Sequence, residues 1–213
     1  DQWVVFSIGG GALAEESDGA SSVNTPDVYS MNSMTEILQW CERTGKSYWE
    51  YVKECEDSDI WDYLQEVWKT MQNAVKRGLE QEGVLPGPLN LRRKASTYYI
   101  RASGYKQSLQ SRGLVFAYAL AVSEENASGG VIVTAPTCGS CGVMPAVLYH
   151  LAKSREFSDT RILRALATAG LVGNIVKTNA SISGAEVGCQ GEVGVACAMA
   201  SAAANQLFGG SPA

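Results

Sequence analysis

The stretch Ser58-Asp59-Ile60-Trp61-Asp62-Tyr63-Leu64-Gln65-Glu66-Val67-Trp68-Lys69-Thr70-Met71-Gln72-Asn73-Ala74-Val75-Lys76-Arg77-Gly78-Leu79-Glu80-Gln81-Glu82 sets the class of the fold. Its apolar residues, Ile60, Trp61, Leu64, Val67, Trp68, Met71, Ala74, Val75 and Leu79, return every three or four positions, with charges on the other side. That is the period of an amphipathic helix, and it predicts one over about 58–82. Upstream, Ser33-Met34-Thr35-Glu36 and Ser47-Tyr48-Trp49-Glu50 are capping-box patterns before Ile37, Leu38 and Cys41 and before Val52 and Cys55, so two short helices are expected there. Residues 12–32 are polar and turn-rich and read as a linker. Ahead of them Trp3-Val4-Val5-Phe6-Ser7-Ile8, closed by Gly9-Gly10-Gly11, reads as a strand that needs neighbours from elsewhere.

Downstream, Gly83-Val84-Leu85-Pro86-Gly87-Pro88 stops the long helix and leads into Leu91-Arg92-Arg93-Lys94-Ala95, where three basic residues suit either a solvated surface or an anion or carboxylate contact. Helices are expected from about Ser108 to Glu125, Val143 to Lys153 and Asp159 to Lys177, with a last one that follows the glycine-rich segment over 181–194 and ends at Leu207. Asn126 to Gly130 breaks the first of these, and Val131-Ile132-Val133 is a brief extended run aimed at Thr134-Ala135-Pro136-Thr137-Cys138-Gly139-Ser140-Cys141-Gly142. No β-α-β alternation appears, so the fold class is mainly α: a helical bundle-like domain with a short extended segment at the N-terminus. The expected organisation is a linker or trailing edge of another domain over 1–22 and a helical domain over 23–213.

The 213 residues are enough for a sizeable core, and a net charge of −5 with no basic run beyond Arg92-Arg93-Lys94 argues against a nucleic-acid partner. Six cysteines are too sparse for a disulfide scaffold of this size, and neither a signal peptide nor a membrane-spanning apolar run is present, so a reduced, cytoplasmic protein without a membrane partner is expected. The chain opens on Asp1 and closes on Gly209-Gly210-Ser211-Pro212, a helix stop followed by the start of another helix. A fragment of a longer protein, truncated at the C-terminus, is therefore expected.

Chemistry concentrates in Ser181-Ile182-Ser183-Gly184-Ala185-Glu186-Val187-Gly188-Cys189-Gln190-Gly191-Glu192-Val193-Gly194, where four glycines accompany two carboxylates and one cysteine. Glycines used this freely call for positive φ or close approach of another group, and a lone cysteine among them suits a metal or cluster ligand; a small-residue helix packed on a neighbour is the plainer reading. Between Ala165 and Ala213 only Lys177, Glu186 and Glu192 carry charge. Lys177, kept neutral by apolar surroundings, suits a base for an amino-acid α-proton, or else it reaches solvent from a helix end. His150, the single histidine, suits either the carbonyls of a helix end or a base. Cys138-Gly139-Ser140-Cys141 lacks the rest of a zinc or redox constellation. Thr134, Thr137 and Ser140 beside a helix start near Gly142 form either a carboxylate or phosphate cradle or a capped loop.

Two motifs carry a resemblance. Thr134-Ala135-Pro136-Thr137 with Gly139, Gly142 and Pro145-Ala146-Val147-Leu148, followed by Lys177, Asn179-Ala180 and the whole stretch from Ser181 to Gly194, resemble the iron–sulfur-dependent L-serine dehydratases. The likeness extends through Ser7-Ile8-Gly9-Gly10-Gly11, Leu85-Pro86-Gly87 and Ala119-Leu120-Ala121-Val122-Ser123-Glu124-Glu125-Asn126-Ala127; Cys138 stands where many relatives carry asparagine. The resemblance implies an all-helical catalytic domain that deaminates L-serine to pyruvate and ammonia with a [4Fe–4S] cluster as Lewis acid and no pyridoxal phosphate. It implies Cys189 as one of three cluster ligands, with two more beyond Ala213, so that this chain alone is expected to lack the cluster and its activity. It also implies a regulatory serine-binding domain and a homodimeric full-length enzyme. With this chemistry in mind, Lys177 is the first candidate base and Glu192 the second, and Thr134, Thr137, Asn179 and Ser183 are candidates for orienting the substrate. A pyridoxal-phosphate amino-acid lyase and a non-catalytic helical interaction module are the alternatives.

Overall fold

The computed structural model describes residues 4–9, 12–15 and 28–213, and it is mainly α-helical. In chain order the described elements are strands β1 (Val5–Gly9) and β2 (Ala12–Glu15), then helices α1 (Met34–Thr44), α2 (Tyr48–Cys55), α3 (Ile60–Glu80), α4 (Ala95–Ser103), α5 (Gln107–Ala127), α6 (Val143–Arg155), α7 (Asp159–Asn179) and α8 (Gly184–Leu207). The N-terminal strand has a neighbour close by in the chain. It pairs antiparallel with β2, Val5 opposite Glu15 and Phe6 opposite Ala14. Of the expected linker over 12–32, Ala12–Glu15 is thus a strand, residues 16–27 lie outside the described residues, and so does the expected boundary at residue 22.

The two predicted caps form. At α1 the Glu36 N–H donates to Ser33 Oγ at 3.3 Å, and Gly45 at φ 71° closes the other end with its N–H on the Cys41 carbonyl. At α2 the Ser47 N–H and hydroxyl both donate to Glu50 Oε2, at 2.9 and 2.7 Å, which holds the Glu50 carboxyl below the usual carboxylate range.

One apolar core joins α1, α2, α3 and α5 to α8, with Ile37, Trp68, Met71, Val122, Met144, Leu148 and Ile162 among its members. α7 is its central rod. Ile162, Ala165, Leu166, Ala167, Thr168, Ala169 and Leu171 are all buried on it, so apolar residues surround the helix instead of forming one stripe, and it packs against α2, α3 and α8. The closest approach is between α3 and α5, where a Cβ on Gly78 would stand 2.2 Å from the Ala121 carbonyl oxygen. Any side chain there would push the two helices apart.

α4 is not predicted from the sequence. Its first two N–H groups, on Lys94 and Ala95, donate to Glu124 Oε1 at 2.6 and 3.2 Å, so the cap comes from α5. Arg93 reaches the same region, with Nη1 3.6 Å from Glu125 Oε1 and Nη2 on Ser128 Oγ at 2.5 Å. Of the two readings of the basic run, the carboxylate contact applies to Arg93, and the carboxylate is internal.

Candidate active site

Three side chains from three helices hold the loop between α5 and α6. Arg77 Nη2 of α3 donates to the Val131 carbonyl at 2.6 Å, and Asn126 Nδ2 of α5 donates to the Cys138 carbonyl at 3.1 Å. Glu192 Oε1 of α8 accepts the Gly139 N–H at 3.1 Å. Loop backbone that would otherwise wander is thus fixed at its start and at its 3-10 turn over Cys138–Ser140.

The Glu192 carboxylate also explains two of the motif glycines. A Cβ on Gly139 would lie 2.8 Å from its Oε1, and a Cβ on Gly184 2.6 Å from its Oε2. Both glycines are there because a carboxylate occupies the space of their side chains. Gly188 has the other reason: at φ 74° and ψ 167° it breaks the helical course inside α8, a left-handed conformation that favours glycine. The glycine segment was expected to precede the last helix; it is instead the kinked first part of it.

Lys177 stands in the last turn of α7 and lines a cleft of about 470 Å³. Thr134, Pro136 and Ile182 line the same cleft, so the loop and the start of the glycine segment both reach it. The remaining candidates are placed around that cleft without lining it. Thr137 and Ser140 are buried, their hydroxyl oxygens 3.5 Å apart, so of the proposed cradle only Thr134 faces open space. Glu192 is 9% exposed and sits at the loop joint described above. Asn179 spends both hydrogens of Nδ2, on the Asn32 carbonyl at 2.6 Å and the Ile175 carbonyl at 2.9 Å. Ser183 precedes α8 with its N–H on Ser181 Oγ at 3.0 Å and no capping bond from its own hydroxyl.

All six cysteines are free thiols. Cys189 is exposed just after the Gly188 kink, so its sulfur is accessible, while Cys141 is buried and its thiol is pushed up to about 11, chiefly by burial. Among the described residues no three His, Cys, Asp or Glu side chains stand together as a metal site. Cys189 therefore fits the part of one ligand, and the described residues do not complete the set. His150 lies away from the cleft, with Nε2 2.6 Å from Ser111 Oγ on α5, and burial holds its pKa below the usual histidine value.

Asn174, Tyr29 and Glu56 are among the cleft residues not singled out from the sequence. Asn174 had a signal: Gly170, Gly173, Asn174 and Lys177 fall at the three- and four-residue spacing of one helix face, a small and polar stripe on an otherwise apolar helix. Tyr29 and Glu56 had none, because they are 27 residues apart and meet only in the fold, where the Tyr29 hydroxyl donates to Glu56 Oε1 at 2.6 Å.

Comparison with known proteins agrees with the motifs. The chain is 45% identical to L-serine dehydratase 1 of Escherichia coli (strain K12), with 97% of this chain and 48% of that protein covered. It is 43% identical to an L-serine dehydratase of Haemophilus influenzae and 41% identical to one of Streptomyces coelicolor, again over 97% of this chain and 48% of the relative. It thus spans about half the length of the curated relatives it matches. Residues 13–213 match the family described as the serine dehydratase alpha chain, and the chain belongs to that family.

Proposed function

We propose that this chain forms a large part of the catalytic domain of an L-serine dehydratase, which deaminates L-serine to pyruvate and ammonia in the cytoplasm. The observation that carries the reading is the meeting of Lys177 and Thr134, from the two family motifs, on one cleft of about 470 Å³, a volume suited to a small molecule. The pyridoxal-phosphate and scaffold alternatives are not favoured by the family membership.

In this reading Lys177, exposed at the end of α7, takes the α-proton of serine. Thr134 meets the substrate carboxylate, and the Ser183 hydroxyl and the Asn179 amide oxygen, both without a hydrogen bond from the described residues, help to orient it. Thr137 supports this contact from inside the loop. Glu192, the second candidate base, fixes the loop against α8 and carries the negative charge nearest that joint. Cys189 is one ligand of a [4Fe–4S] cluster whose other ligands come from the part of the protein this chain does not span. When bound, the cluster supplies Lewis acidity for loss of the β-hydroxyl. Loss of the α-proton and the β-hydroxyl leaves an enamine, and its hydrolysis gives pyruvate and ammonia.

The test is anaerobic reconstitution of the full-length protein with iron and sulfide, followed by assay for pyruvate. Cluster absorbance with serine-dependent pyruvate is expected. A cluster-loaded protein that leaves L-serine unchanged overturns the reading.

A further inference from the structure

We propose that Glu56 receives the α-ammonium of the amino-acid substrate and that Tyr29 is its positioning residue; this rests on reading the cleft as the serine site. Among the described residues that line the cleft Glu56 is the only carboxylate and Lys177 the only cation. Glu56 stands at the C-terminal end of α2, its Oε1 held by the Tyr29 hydroxyl at 2.6 Å, while its second oxygen accepts no hydrogen bond from the described residues. No described Lys or Arg forms an ion pair with it.

The neighbourhood makes that free oxygen informative. Val52, Ile60, Leu64 and Met71 line the same cleft, so the partly buried Glu56 carboxylate has apolar surface on its cleft side and an oxygen open to a ligand. A cation brought by the ligand satisfies it, and serine carries one such group, the ammonium on the carbon that loses its proton. Tyr29 is suited to hold Glu56 in place: burial and then the Glu56 carboxylate push its phenol above the ordinary tyrosine value, so it stays a donor. An ammonium docked at Glu56 and a carboxylate near Thr134 fix two substituents of the α-carbon, which leaves its hydrogen to be directed at a base.

The experiment uses the full-length, cluster-loaded protein with Glu56→Gln, which keeps the shape and removes the charge. The KM for L-serine is expected to rise about 10- to 100-fold, the value of a hydrogen bond between charged groups. Inhibition by 3-hydroxypropionate, which has the carboxylate and hydroxyl of serine but no amino group, is expected to stay within about twofold. Should this variant fail to fold, Glu56→Asp keeps the charge but withdraws it by one methylene, and a several-fold rise in KM with the same unchanged inhibition is expected. An unchanged KM, or an equal weakening of both ligands, overturns the assignment while leaving the proposed reaction intact. A parent enzyme without serine turnover removes the proposed reaction and this assignment with it.

Discussion

Two buried carboxylates are held in different ways in this molecule. Glu125 on α5 is met by two guanidinium groups, Arg77 Nε at 2.9 Å and Arg93 Nη1 at 3.6 Å, and these tie α3 and the 83–94 loop to α5. Glu192 on α8 has one backbone N–H, that of Gly139, and no ion-pair partner among the described residues. Two guanidinium groups on Glu125 tie helices together, whereas Glu192 holds a single loop N–H and fills the space that Gly139 and Gly184 leave. The contrast separates an ion-paired end of the protein from the end that carries the proposed site, and each can be perturbed without the other.

The largest effect should come at the end that carries the proposed site. Lys177→Met in the full-length, cluster-loaded protein is expected to lower turnover of L-serine by about 10²- to 10⁴-fold with cluster absorbance and urea midpoint unchanged. Near-normal turnover removes Lys177 as the base. At the ion-paired end, Glu125→Ala leaves Arg93 buried without its counter-charge and is expected to lower stability by about 3 kcal/mol in urea titration, with activity per folded molecule preserved. Lost activity in the folded fraction would erase the distinction between the two ends. Gly139→Ala places a methyl against the Glu192 carboxylate, and a loss of about 1–3 kcal/mol is expected, smaller when combined with Glu192→Ala, which clears the space. Additive losses would show that the two groups do not share that space.

The smallest effect lies outside both ends. The Glu50 carboxyl titrates lower in the fold than in the unfolded chain, first because of the Ser47 N–H and then its hydroxyl. The unfolded state therefore binds more protons as pH falls, and the cap's contribution is present above about pH 4.3 and lost as pH drops through the lower folded value. Ser47→Ala, which removes the hydroxyl and leaves the N–H, should cost about 0.5–1 kcal/mol at pH 7 and less at pH 3. A cost independent of pH would assign it to something other than the Glu50 charge.

The helices were legible wherever their own residues stabilise them. The apolar period of α3 and the Ser33 and Ser47 caps are local features, and the structure reproduces them within a few residues. α4 was illegible for the converse reason: Ala95-Ser96-Thr97-Tyr98-Tyr99 has neither a strong helical stripe nor a local cap, and Glu124 supplies the missing acceptor from 29 and 30 positions away. At the site, Lys177, Cys189 and the paired motifs stood out because charge and thiols are scarce where they occur. Glu56 lies among other acids, Glu54 and Asp57, and nothing in its own neighbourhood sets it apart.

Composition and periodicity alone determined a mainly α chain, the capped starts of α1 and α2, the extent of α3 and the segment where glycine is required, since each depends on residues a few positions apart. Only the tertiary structure decided what the glycines make room for, which carboxylate is compensated and which is left open, and that Tyr29 and Glu56 face the cleft of Lys177. Those facts depend on distances between groups far apart in the chain, and such distances are fixed by how helices pack around α7, not by any stretch read by itself.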